Sequence, residues 1–208
     1  MKYIELSIKE LREKSNELAF QISKSYKPDV VLFIAKGAYL IGDEISRYYD
    51  IPLLEITAER NGGKAKEVAR PVLKFLPKEL KIFLRKLELK SGFHTKNNKR
   101  NIYLKDDRYL IDSKNILIVD DSIDSGNTSK DVFSFIKGNF PNSNVKFAVL
   151  NYFEKSTNVF RADYFLYKDT IIMGPMSKDS KEYGDFLNLY NSWTSNEANV
   201  QKSHNINR

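Results

Sequence analysis

Hydrophobic and polar positions change rhythm several times along this chain. Ile8, Leu11, Leu18 and Ile22 recur at helical spacing. Ser7-Ile8-Lys9-Glu10 has capping-box spacing and predicts the start of that helix, which Tyr26-Lys27-Pro28-Asp29 ends. Val30 to Ala35 is a short apolar run of the kind buried on both faces of a sheet. Lys36-Gly37-Ala38 breaks it, and a second helix is predicted with Ile41, Ile45 and Tyr48 on one face. Ile51 to Thr57 reads as the next strand, and Asn61-Gly62-Gly63 closes that unit. The alternation resumes with a strand at Asn115 to Val119 and a helix from Thr128 to Lys137 carrying Val132, Phe133 and Ile136. Strands are predicted at Val145 to Leu150 and at Asp163 to Tyr167. Alternating strands and helices predict an α/β domain, a twisted, mostly parallel sheet flanked by helices. Ligands in such folds bind beyond the carboxyl ends of the strands, where Lys36-Gly37 and Asp120 to Thr128 fall.

Residues 60–107 break the rhythm. Leu80, Phe83, Leu84 and Leu87 take one helical face, with Lys78, Lys81, Arg85 and Lys86 on others, Pro77 at the start and Ser91-Gly92 at the end. Arg60 to Lys105 holds 14 Lys/Arg against 3 Asp/Glu, so the net charge of +7 belongs to this segment. A basic amphipathic insert is expected, either packed on its own domain or, through residues 78–90, meeting an anionic membrane surface or a partner. The tail from Ser195 to Arg208 is polar and expected to lack structure, leaving one domain over residues 1–194. No cysteine is present among 208 residues, which excludes disulfides and thiolate metal sites and suits a reducing compartment. The N-terminus has no apolar signal region, and no run approaches a membrane span. The expected location is the cytoplasm, with peripheral attachment at the inner membrane face if the basic helix serves that purpose.

Candidate chemistry concentrates in NILIVDDSIDSGNTSKDV, Asn115 to Val132. Ser125-Gly126-Asn127-Thr128 lies between a strand and a helix start, where unpaired backbone N–H groups and the helix dipole favour an anion. Gly126 permits close approach, and Ser125 and Thr128 add hydroxyl donors. It is a monophosphate cup, without the lysine and spacing of a Walker loop. Asp120 and Asp121 would repel a phosphate and need a diol or Mg²⁺ instead. The spacing of Asp120, Ser122, Asp124 and Asp131 imitates an EF-hand, but its glycine is displaced and its flanks are strand and helix. Receiver domains also carry paired acids after an apolar strand, without reason for S-G-N-T. Helix capping explains one acid rather than three.

The run ILIV-DD-SI-DSGNT resembles the signature of the type I phosphoribosyltransferases: an apolar strand, two acids, two mostly apolar residues, then D-[ST]-G-x-T. Ala35-Lys36-Gly37-Ala38 resembles that family's pyrophosphate loop. The resemblance implies 5-phosphoribosyl 1-pyrophosphate (PRPP) as donor, with Mg²⁺. It implies that Asp120 and Asp121 hold the ribose hydroxyls and the metal, directly or through water. Asp124, Ser125, Gly126, Asn127 and Thr128 would cradle the 5′-phosphate. Lys36, Gly37 and Ala38 would hold the pyrophosphate, in a loop that in this family often contains a non-proline cis peptide. Asp124 would act as general base.

For the acceptor, residues 153–190 resemble the family's hood. Lys155 stands where a purine oxygen is read, and Ile171 where many purine-using members have an aromatic ring. The patterns around RPVLKFLPKELKIFLRKLE and MGPMSKDSKEY resemble members associated with bacterial surface-polysaccharide synthesis. The first expectation is therefore a glycosyltransferase placing β-5-phosphoribofuranose on a saccharide, lipid-linked in polysaccharide or O-antigen synthesis, with a partner phosphatase removing the 5′-phosphate. The alternative is a purine-type (hypoxanthine, xanthine or guanine) salvage enzyme, and the third a non-catalytic PRPP sensor. His94 is carried as a candidate acceptor-site residue. Nucleic acid is not expected as a partner, since no helix-turn-helix is apparent; a homodimer is left open.

Overall fold

The computed structural model describes residues 2–60 and 100–206. In chain order these form β1 (Lys2–Glu5), α1 (Ile8–Ser23), β2 (Val30–Ile34), α2 (Tyr39–Tyr49), β3 (Leu53–Arg60) and β4 (Arg100–Leu104). They continue with α3 (Arg108–Ile111), β5 (Asn115–Ile123), α4 (Asn127–Asn139), β6 (Asn144–Tyr152), a 3₁₀ turn (Glu154–Asn158), β7 (Tyr164–Lys168), β8 (Thr170–Met173) and α5 (Tyr183–Ile206). The predicted amphipathic helix at 78–90 and His94 lie outside the described residues.

Six strands form one sheet in the order β4-β3-β2-β5-β6-β7. All pairs are parallel except β3 with β4. β1 and β8 pair in parallel as a separate two-stranded sheet. The capping box is present: Ser7 N donates to Glu10 Oε2 at 2.8 Å, and Glu10 N donates to Ser7 Oγ at 3.2 Å. These bonds hold the Glu10 carboxyl below its ordinary range, because they favour the charged form. α1, α2 and α5 cover one face, packing Leu18, Ile41 and Phe186 on Phe33 and Val119. α3 and α4 cover the other, packing Leu110, Val132 and Ile136 on Leu32 and Ile118. The central strand β2 is buried throughout, as its continuous apolar run required.

Four details differ from the sequence reading. β4 belongs to the main sheet although it ends the expected insert; Ile102 and Leu104 pack inward from a strand whose alternation was hidden among charges. β1 and β8, which are not among the predicted strands, satisfy each other's backbone groups. Tyr48 is 44% exposed, and it is Tyr49 that turns inward and donates to Ala19 O at 3.1 Å. Finally, α5 carries its backbone through Ile206, past the tail expected to be unstructured. Its first turns are anchored by Phe186, Tyr190 and Trp193. Residues such as Glu197, Ala198 and Gln201 extend an existing helix at low cost, because the unfavourable step is nucleation.

Candidate active site

The carboxyl ends of β2 and β5 lie side by side, since Phe33 is in register with Val119. Ile34 therefore runs directly into the loop Ala35–Ala38 beside Asp120 and Asp121. The Ala35–Lys36 peptide is cis. The loop is tied down by Ala38 N donating to Ile34 O and Tyr39 N donating to Lys36 O. Ala38 is buried at the start of α2, whereas Lys36 is exposed. Gly37 faces Asp121: a Cβ there would stand 3.2 Å from both Cγ and Oδ2. The two candidate halves, 84 residues apart in the chain, thus meet at Gly37 and Asp121.

Asp120 is 8% exposed and Asp121 half-buried. Burial, and for Asp120 the neighbouring Asp121 charge, push both carboxyls above their ordinary range. Local backbone donors answer them: Asp121 N reaches Asp120 Oδ1 and Ser122 N reaches Asp121 Oδ1, each at 2.9 Å. Two hard-oxygen acids, one buried and one half-buried, whose proton affinities are both raised suit hydroxyl donors or a hard divalent cation. No cluster of three or more His, Asp or Glu with metal-binding geometry occurs among the described residues. A cation here would complete its shell with ligand or water oxygens.

Gly126 caps α4 in the left-handed region, φ 79°, with its would-be Cβ 3.1 Å from Phe160 N and Ser156 O. A side chain is therefore excluded by both conformation and space. Lacking a side-chain cap, the first turn of α4 leaves its N–H groups to an anion. Asn127 and Thr128 begin that turn, and Asn127 Nδ2 donates to Ser125 Oγ at 3.3 Å. Asp124, half-buried, accepts from Ser122 Oγ at 3.3 Å. Asp131 is taken by Arg100 at 2.9 Å.

On the hood side, Lys155 is exposed on the 3₁₀ turn and Ile171 half-buried on β8. Asp169, at φ 49°, joins these segments: its Oδ1 accepts from Glu154 N at 3.0 Å. Asn151, fully buried, links β8 to the motif. Its Oδ1 accepts from Thr170 N at 3.1 Å, and its Nδ2 donates to Ser122 Oγ at 3.5 Å. Neither residue was found from the sequence. The one usable signal was a polar residue ending the apolar run Phe147 to Leu150.

The model of the phosphoribosyl transferase domain family matches residues 6–177. No curated protein sequence matches the chain. Among solved structures, it is similar to a xanthine-guanine-hypoxanthine phosphoribosyltransferase from Helicobacter pylori, with 19% identity over 88% of this chain and 99% of that one, at a TM-score of 0.60. It is similar to a purine phosphoribosyltransferase from Pyrococcus horikoshii, with 19% identity over 86% and 97%, at 0.57. It is also similar to a hypoxanthine phosphoribosyltransferase from Staphylococcus aureus, with 17% identity over 79% and 76%, at 0.53. The chain belongs to the phosphoribosyl transferase domain family and is a PRPP-using transferase.

Proposed function

We propose that this transferase moves the 5-phosphoribosyl group of PRPP to a nucleobase of the oxopurine type, releasing pyrophosphate. The observation that carries the donor half is the contact between Gly37 and Asp121 beside the uncapped start of α4. It offers a pyrophosphate loop, a pair of diol acceptors and a phosphate cup at one strand end. The acceptor half is supported by the purine substrates named for the similar folds. These favour a nucleobase over the saccharide expected first; the features that suggested a saccharide lie largely in 60–107, most of it outside the described residues.

Asp120 and Asp121 accept from the ribose 2′- and 3′-hydroxyls. Backbone N–H groups of α4, with Ser125 and Thr128, hold the 5′-phosphate. Lys36 and the loop N–H groups hold the pyrophosphate. With both ends of the donor fixed, C1 is exposed to attack from one side. Mg²⁺, held by Asp120 and Asp121 directly or through water, would supply positive charge for the leaving group. The C1–O bond to pyrophosphate breaks with its electron pair leaving on oxygen. A base nitrogen bonds C1 from the opposite face, so the α donor gives a β product. The nitrogen's proton passes to Asp124. Residues 153–190 supply the hood, in which Lys155 donates to an exocyclic oxygen and Ile171 packs on the ring.

The test is parallel incubation of Mg²⁺-PRPP with hypoxanthine, xanthine, guanine and a lipid-linked sugar, reading pyrophosphate and product mass. A nucleoside monophosphate is expected. Pyrophosphate released with the sugar acceptor alone would restore the saccharide reading.

A further inference from the structure

Lys36 leaves the main chain in a loop, yet its ammonium lies over an aromatic ring: Nζ is 5.3 Å from the centroid of the Tyr190 ring. Tyr190 comes from α5, some 150 residues later in the sequence than Lys36 by the numbering, and is 6% exposed. Its hydroxyl donates to Glu55 Oε1 at 3.0 Å. Glu55, on β3 beside Phe33, is 5% exposed. Its second oxygen accepts from Lys105 Nζ at 2.6 Å, just after β4. A buried carboxylate in a sheet otherwise packed with Leu, Ile and Phe is costly unless paired. Here both oxygens are used: Tyr190 and Lys105 come from other elements, and Thr57 Oγ1 on the same strand also donates to Oε1 at 3.4 Å. Burial and the Glu55 charge push the Tyr190 hydroxyl up to about 12, so it remains a donor at neutral pH. Tyr39 and Trp193 flank the same ring, at 5.5 and 6.4 Å between centroids, which leaves it little freedom to turn.

We propose that Tyr190, locked by Glu55 and Lys105, is a positioning residue that holds Lys36 for the pyrophosphate end of the donor. The proposal rests on the PRPP reading above and adds α5 to the pyrophosphate subsite. An exposed lysine samples many rotamers, and fixing it on binding costs entropy. A ring beneath its ammonium narrows those rotamers beforehand, so less is lost when the anion arrives. Glu55 sets the ring's orientation, and the pair Glu55–Lys105 ties that orientation to the strand that returns from residues 61–99.

The experiment uses the full chain and three probes with Mg²⁺: PRPP, inorganic pyrophosphate and ribose 5-phosphate, each titrated by calorimetry, with thermal melts to confirm folding. Tyr190→Leu is expected to weaken PRPP and pyrophosphate about tenfold, leave ribose 5-phosphate within about twofold, and have no further effect on PRPP in a Lys36→Met background. Tyr190→Phe keeps the ring and is expected to lose about threefold for the same two ligands. Glu55→Gln should follow Tyr190→Phe, and stands in for Tyr190→Leu if that variant does not fold. Equal losses for all three probes would make Tyr190 merely structural and overturn the proposal, as would additivity with Lys36→Met. A wild-type chain that binds none of the probes would overturn the PRPP reading and this proposal together.

Discussion

A Cβ placed on Gly37 would stand 3.2 Å from the Cγ and Oδ2 of Asp121, so the loop after β2 and the acid at the end of β5 meet with no side chain between them. This contact joins the two halves of the proposed donor site. Gly37→Ala forces the carboxylate or the loop to give by a few tenths of an ångström. The expected result is an intact fold with PRPP affinity about tenfold weaker, equivalent to about 1.4 kcal/mol. Unchanged affinity by calorimetry would show that the contact is slack.

Asp120, a proposed site residue, is held at a cost to the fold. Burial and the Asp121 charge raise its carboxyl well above the ordinary 3.8. A carboxyl whose folded pKa is raised contributes favourably below its unfolded pKa and loses that contribution as pH rises through the folded value. Asp120→Asn removes this loss. At neutral pH the variant is expected to melt about 2–4 °C higher, the equivalent of about 1 kcal/mol for a chain of this size, while binding PRPP less tightly. The gain should shrink as pH falls and vanish near the ordinary carboxylate range. A constant gain across pH would assign the effect to something other than ionisation.

Gly126 combines a left-handed φ with backbone neighbours that cannot retreat, Phe160 N and Ser156 O at 3.1 Å from a Cβ. Gly126→Ala is therefore expected to lower stability by at least about 1 kcal/mol as well as PRPP affinity. Denaturant melts would read the first and calorimetry the second. A variant as stable as wild type would contradict the tight junction between α4 and the 3₁₀ turn.

As the proposed general base, Asp124 is expected to separate binding from transfer. Asp124→Asn keeps the size of the side chain and its contact with Ser122, so PRPP should bind within about threefold of wild type. Loss of the general base is expected to slow transfer by about 10²–10⁴-fold. An unimpaired rate would remove Asp124 from that role.

The sequence disclosed the parts of this molecule whose signal is local. The apolar runs of β2 and β5, the capping box at Ser7 and the acid-rich loop before α4 all announce themselves within a dozen residues. Residues whose role depends on distant partners were invisible. Glu55 reads as an ordinary strand residue until Tyr190 and Lys105 are seen on its two oxygens. Asn151 gains meaning only from Ser122 and Thr170 on flanking elements. β1 and β8 are four residues each and exist because they pair with each other. The C-terminal helix was missed for a related reason: its polar second half follows from an anchored first half, which periodicity in the second half alone cannot reveal. The acceptor was the least legible part, because hood residues such as Lys155 and Ile171 carry no motif of their own.

The central claim is that the ends of β2 and β5 and the start of α4 build one PRPP site. Titration of the wild-type chain with Mg²⁺-PRPP, followed by competition with pyrophosphate and with ribose 5-phosphate separately, tests it most directly. The account expects saturable 1:1 binding displaced by either half-ligand, and lost when Asp120 and Asp121 are both replaced by Asn. Absence of PRPP binding, or binding indifferent to those two substitutions, would contradict it.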